Sequence, residues 1–218
     1  MDELEWIKQA PEIPLLPKEK RDSWLTPSEA QRLLEELPED LNAKVRFSLA
    51  TGLRQSNVLN LQWEHVDLKN KIAIVHFYDS KNEHSFNVPL NDWAMQVLQE
   101  QRGKHPTHVF SYNGKPLKKI QYTLWRKALD RAGICPFYSS SCNRYNDYPT
   151  KPLNEYKFPD GFRWHDLRHT WASWHIQSGT PLEILQKLGN WSSYDLVLRY
   201  AHHDISMAAA YANNVSLD

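Results

Sequence analysis

Long hydrophobic runs are missing from these 218 residues. Nowhere do roughly 18 apolar residues follow one another, so no membrane-spanning helix is expected. The N-terminus, MDELEWIKQAPEIP, is acidic and proline-bearing where a secretory leader would be basic and then apolar. These two absences point to the cytoplasm. Cysteine is nearly missing too: Cys135 and Cys142 share one polar segment, where they could pair in an oxidising compartment or stay free. A secreted disulfide scaffold would use more of them, so both are read as reduced and structural. There is no excess of basic charge, since 26 Lys and Arg balance 26 Asp and Glu, and the sum argues mildly against a nucleic-acid partner. Distribution matters more. Residues 1–40 are rich in Asp and Glu, whereas 102–131 carry Arg102, Lys104, Lys115, Lys118, Lys119, Arg126, Lys127 and Arg131 against Asp130 alone. Such a stretch could face a polyanion, although charge by itself favours a solvated surface. No internal repeat occurs.

With 41% apolar and aromatic residues, the chain suffices for one substantial core, and its patterning indicates a mostly helical α+β fold with a small antiparallel sheet. Residues 1–22 read as a linker or arm, and 23–218 as one domain. Thr26 is a natural N-cap, with Pro27 at the first helical position and Glu29 where a capping box needs it, so a helix is expected over 27–37. Leu41, Val45, Phe47 and Leu49 mark a second helix ending at Gly52, and Val58 to Trp63 a third, short one. Strands are expected at 71–77 and 84–88 with Lys81 in their turn, then a helix near 92–101, a strand at 108–110 and a helix near 118–132. About 135–160 the chain is polar, tyrosine-rich and proline-punctuated, which reads as a long excursion from the domain. Helices are expected from His165 to Gly179, over 181–188 behind a Thr180 cap, from a Ser192 or Ser193 cap to about His202, and over 205–212.

The segments TGLRQSNVLNL (51–61), FRWHDLRHTWASWH (162–175) and LGNWSSYDLVLRYAHH (188–203) hold the chemistry-bearing side chains. Phosphoryl transfer needs cations at nonbridging oxygens, a nucleophile in line and a proton donor for the leaving oxygen. His165 and Arg168, three apart on a helix, can address one phosphate together. Arg54 follows the tight turn that Gly52 allows at a helix end, which can aim its planar, always-charged fork inward.

Together these segments resemble the boxes of the tyrosine recombinases of the phage-integrase type: an Arg in TGLR, a His-x-x-Arg, a Leu-Gly followed by His or Trp, and a Tyr nine residues on. Those positions fall on Arg54, His165, Arg168, Trp191 and Tyr200, and the family's hairpin lysine falls on Lys81. The resemblance runs over about 23–203. It implies site-specific DNA recombination and integration, as in phages and mobile elements, through a phosphotyrosine intermediate: Tyr200 attacks a DNA phosphate and leaves a 3′-phosphotyrosyl bond. Arg54 and Arg168 would stabilise the charge, Lys81 would protonate the leaving oxygen, His165 would handle the nucleophile's proton, and Trp191 would pack beside the phosphate. It further implies no cofactor and no metal, double-stranded DNA at attachment sites as partner, a tetrameric synapse on DNA and a monomer in isolation. Three departures stand out. The polar excursion over about 135–160 is an insertion relative to the family's usual short path into the His box. Asn57 occupies a position that is acidic in many members, and the family's N-terminal helical DNA-clamping domain is absent, so the chain is expected to be part of a longer recombinase.

Other readings compete. His165 and His169 stand at i and i+4, as in zinc hydrolases, with His175, His202 or His203 as third ligand. A noncatalytic DNA-binding relative is another, and type IB topoisomerases share the chemistry. Trp164, Trp171 and Trp174 read as core, Tyr194 as a poor competitor to Tyr200, and His169 as either a site support or a structural histidine.

Overall fold

Thr26 opens the first helix by satisfying two backbone donors reciprocally. Its hydroxyl accepts from the Glu29 N–H at 3.3 Å, while the Glu29 carboxylate accepts from the Thr26 N–H at 2.7 Å. Helix α1 follows over Pro27–Glu36. The computed structural model describes residues 23–76, 85–136, 150–159 and 161–200.

Helix α2, Glu39–Thr51, is apolar on two sides, and a helix of that kind belongs in the middle of a fold. Leu41, Val45 and Leu49 pack with α1 and α5 (Tyr122–Arg131), whereas Phe47 and Ala50 face the sheet and α4 (Asp92–Gln101). The sheet is antiparallel in the order β1 (Val66–Asp67), β2 (Ile72–Val75), β3 (Phe86–Pro89). Its alternation is that of a half-covered sheet: Ala73, Val75 and Val88 are buried while Ile74 is exposed. The connection from β2 to β3, with Lys81, lies outside the described residues.

Three local expectations need correction. Residues 108–110 form no strand; His108 makes an isolated bridge to Gln62, and the extended pairing comes just after, between β4 (Ser111–Tyr112) and β5 (Lys115–Pro116). Buried Val109 and Phe110 belong to the core through their side chains, which is the signal that suggested a strand. Helix α5 begins at Tyr122 rather than 118, because Ile120 is fed into the core first, through a non-helical Gln121. Pro181 caps α7 (Leu182–Gly189) in an extended conformation instead of starting it.

The expected insertion can be followed only at its ends, since 137–149 lie outside the described residues. Its returning arm is pinned to α5: the Tyr156 hydroxyl donates to the Asp130 carboxylate, and the Thr150 N–H reaches the same group at 3.2 Å. The basic stretch is partly neutralised by the acidic N-terminal helices, with Arg131 on Glu36 at 2.6 Å and Lys104 on Glu39 at 3.0 Å. Cys135 is a buried free thiol, whereas Cys142 lies outside the described residues. The C-terminal part stacks α6 (Asp166–Gln177), α7 and α8 (Asp195–Leu198) around Trp171, Leu185 and Val197, with α6 lying against α2. Among the described residues no helix is long and apolar enough to cross a membrane. The helix expected over 205–212 lies outside them.

Candidate active site

Arg168 is the fixed point. It projects from the first turn of α6 and is 5% exposed, with Nη1 donating to the Gly52 carbonyl at 2.8 Å and Nη2 donating to the Gly189 carbonyl. Its guanidinium lies over the Trp191 ring, 4.3 Å from the centroid. One side chain thus ties the end of α2 to the end of α7. Among the described residues no carboxylate pairs with it. Desolvation, then the nearby Arg54, hold its pKa down to about 10, so it stays charged at neutral pH. A buried cation neutralised by no anion is costly, and the cost is relieved when an anion arrives.

The chain reaches this point through Gly52. Its φ of +66° ends α2, and a Cβ there would stand 2.4 Å from the Trp171 ring. The turn sends Leu53 and Arg54 out in extended form, and Arg54 becomes the N-cap residue of α3 (Gln55–Leu59). Gly52→Ala should therefore cost on the order of 2 kcal/mol from the left-handed strain and the displaced indole. A urea midpoint unchanged from the parent chain would contradict this. Asn57 is buried and accepts from the Ser56 hydroxyl at 3.2 Å, so no negative charge supports Arg54 from there.

Tyr200 lies beyond α8 and is 7% exposed, packed against the Trp191 ring at 5.7 Å and the His169 ring at 5.6 Å. With His169 neutral and its proton on Nε2, the phenol donates to His169 Nδ1 at 2.7 Å. Desolvation pushes the phenol pKa up to about 12, against the pull of Arg168 and Arg199. The helix expected from a serine cap to about His202 is shorter than that: α8 is preceded by Tyr194 in helical conformation, with no side-chain cap, and Tyr200 sits after its end. Tyr194 is 42% exposed and apart from this packing.

His165 caps α6, with its ring 5.1 Å from that of His169 and edge-on to it. Desolvation, His169 and Arg168 in that order lower its pKa to about 4. It is neutral at pH 7. The structure thus brings Arg54, His165, Arg168, Trp191 and Tyr200 to one place, while Lys81 lies outside the described residues. His169, which the sequence left undecided, is the residue hydrogen-bonded to the Tyr200 phenolic oxygen. The only hint was its position one turn after His165. Trp164 and Trp171 are buried as expected, and the Trp174 indole donates to the Leu25 carbonyl at 2.8 Å.

A sequence model of the phage integrase family matches residues 23–207. The chain belongs to that family. It is 42% identical over 216 residues to the integrase of Salmonella phage P22, and 32% identical over 187 residues to a shufflon-specific DNA recombinase of Escherichia coli. The alignments take in 92% and 84% of this chain but 49% and 40% of those proteins, so it spans about half the length of the curated relatives it matches. In fold it is similar to the catalytic domain of bacteriophage HP1 integrase (TM-score 0.59, 23% identity, 88% of this chain and 94% of that one). It is also similar to the XerA recombinase (TM-score 0.62, 19% identity, 94% and 68%).

Nothing favours the zinc reading: among the described residues no third His, Cys, Asp or Glu joins His165 and His169, His175 is hydrogen-bonded to the Thr180 hydroxyl at 3.0 Å, and His202 and His203 lie outside the described residues. The histidines instead make a pH prediction. His165, His169 and His175 all have pKa values below the ordinary 6.5, each chiefly through desolvation. The unfolded chain then binds protons that the folded chain excludes, so stability is fully present above 6.5 and is lost as the pH falls through the folded values. Urea midpoints should drop from about pH 7.5 to about pH 5, and drop less in His169→Gln. Equal slopes in the two proteins would contradict the assignment.

Proposed function

We propose that this chain is the catalytic domain of a site-specific DNA recombinase, over residues 23–218 with 1–22 as an arm, and that Tyr200 is its nucleophile. The observation that carries the reading is the buried Arg168 beside Arg54 and Trp191, a cationic seat without an anion, adjoining a buried phenol on a neutral histidine. The phenolic oxygen of Tyr200 attacks a DNA phosphorus, the bond from phosphorus to the 5′ oxygen breaks, and a 3′-phosphotyrosyl ester remains. Arg54 and Arg168 hold the nonbridging oxygens as charge builds on them. The geometry favours His169 rather than His165 as acceptor of the phenol's proton, because it already holds that oxygen and is neutral. His165 would then hydrogen-bond the phosphate, and Lys81 would give the leaving 5′ oxygen its proton. Reversal by another 5′-hydroxyl rejoins strands without outside energy, since the ester conserves the bond.

The names of its relatives support this reading, as do solved structures of similar fold in which the XerH recombinase and the Tn1549 transposon integrase are bound to DNA. The substrate is taken to be duplex DNA at attachment sites, in the cytoplasm of a bacterial host. Monomers would assemble on it as a four-subunit synapse. The test is a nicked duplex from which the leaving strand diffuses away. A covalent complex should accumulate without added metal, and its modified peptide should map to Tyr200; an adduct on Tyr194, or none at all, would overturn the reading.

A further inference from the structure

Beside the candidate active site lies a cavity of about 380 Å³ that the chemistry above does not use. His165 forms part of its wall, and so does Gln55, the residue after Arg54. The far wall is aromatic, from Trp125 and Phe162, and Arg126 of α5 enters from the side. Three of the residues lining it carry buried donors with no hydrogen-bond partner among the described residues: Gln55 Nε2, Arg126 Nε and Trp164 Nε1. Trp164 is 4% exposed, so its indole N–H has given up water without gaining an acceptor. Buried donors are normally satisfied, and several orphans around one cavity mark a place where acceptor atoms arrive from outside.

The chemistry of the lining restricts what can supply them. Among the described residues no carboxylate lines the cavity. Arg163, at its edge, is partly offset by Asp166 at 3.4 Å, whereas no carboxylate among the described residues pairs with Arg126. A nucleobase edge presents donors as well as acceptors and carries no charge to meet an arginine. A phosphodiester offers acceptors in several directions together with one negative charge, and it recurs along a strand beside the scissile one.

We propose that the Gln55, Arg126 and Trp164 cavity is a second phosphate seat, binding a nonscissile phosphodiester of the same DNA next to the one held by Arg54 and Arg168. The inference rests on the recombinase reading. By fixing a neighbouring phosphate, the seat sets the register of the scissile one, and these residues act in positioning rather than in bond breaking.

The test measures binding of the whole chain to a duplex of about 30 base pairs as salt is varied, for the parent chain, Trp164→Phe, Arg126→Met and the double variant. Trp164→Phe keeps the aromatic wall and removes only the donor. Each single variant should weaken binding about two- to tenfold, the loss expected for one hydrogen bond. Arg126→Met should also lower the slope of log affinity against log salt by about 0.9, one phosphate's worth, whereas Trp164→Phe should change the slope little. Because both donors serve one phosphate, the double variant should be scarcely weaker than Arg126→Met. Parent-like affinity and slope in both single variants, with the parent chain binding DNA and forming its adduct, would remove the second seat and leave the recombinase reading standing. Strictly additive losses would show that the donors serve different groups and would overturn the shared seat. Failure of the parent chain to bind DNA would overturn the recombinase reading and this inference with it.

Discussion

Tyr200→Phe is expected to abolish the covalent adduct altogether while leaving DNA binding within about twofold. The substitution removes one oxygen from a ring that is otherwise held by packing against Trp191 and His169, so the surrounding structure has little reason to move. What it does lose is the hydrogen bond to His169 Nδ1, which leaves one buried ring nitrogen without its partner and should cost about 1 kcal/mol. That small, measurable loss is a useful internal check. A variant that loses the adduct but also unfolds several kcal/mol more easily would have failed for a structural reason. The phenol in the parent chain is buried, with its pKa pushed up to about 12, and hence fully protonated at neutral pH. In the proposed reaction, attack would require that its proton leave and that the oxygen turn from His169 toward a phosphate held by Arg54 and Arg168. His169→Ala should therefore slow adduct formation without abolishing it, and the deficit should shrink as the pH rises. Adduct persisting in Tyr200→Phe would show that another tyrosine is the nucleophile.

How far the sequence anticipates this arrangement depends on the kind of signal. The Thr26 capping box and the turn at Gly52 were legible because each needs particular residue types at fixed offsets: a hydroxyl with a carboxylate three on, and a residue that accepts φ of +66°. The grouping of Arg54, His165, Arg168, Trp191 and Tyr200 was legible only through the resemblance of whole segments; no periodicity brings the end of α2 to the end of α7. What joins them is the Arg168 fork on two carbonyls, and backbone carbonyls leave no trace in a sequence. The strand expected at 108–110 failed because two buried apolar residues in a row suit a strand or a core-facing loop equally. His169 stayed ambiguous for a similar reason, since its role is set by a phenol that arrives from 31 residues away. The orphan donors around the second cavity were illegible, because an orphan is defined by what fails to surround it.

Arg168→Ala and Arg54→Ala should each slow cleavage by about a hundredfold or more, the usual effect of removing a preorganised charge from a transition state, but they should differ sharply in stability. The structure separates them. Among the described residues Arg168 alone bridges the Gly52 and Gly189 carbonyls, and deleting it leaves two buried acceptors without that donor and the Trp191 ring without its stacked cation. Each orphaned carbonyl costs on the order of 1–3 kcal/mol, a large share of an ordinary domain's stability. Against this stands the relief of removing a buried, unpaired charge, which makes the net loss smaller than the sum. Arg54 has no such structural ties among the described residues, so Arg54→Ala should stay within about 1 kcal/mol of the parent. Arg168→Lys resolves the remaining ambiguity, because a point charge keeps the cation but cannot span both carbonyls and stack on an indole at once. It should recover part of the stability lost in Arg168→Ala and little of the rate. Single-turnover cleavage of the nicked duplex and urea midpoints, measured on all three variants, give both axes. A fast Arg54→Ala, or an Arg168→Lys as active as the parent chain, would mean that these arginines organise the fold around the phosphate without stabilising the charge that develops on it.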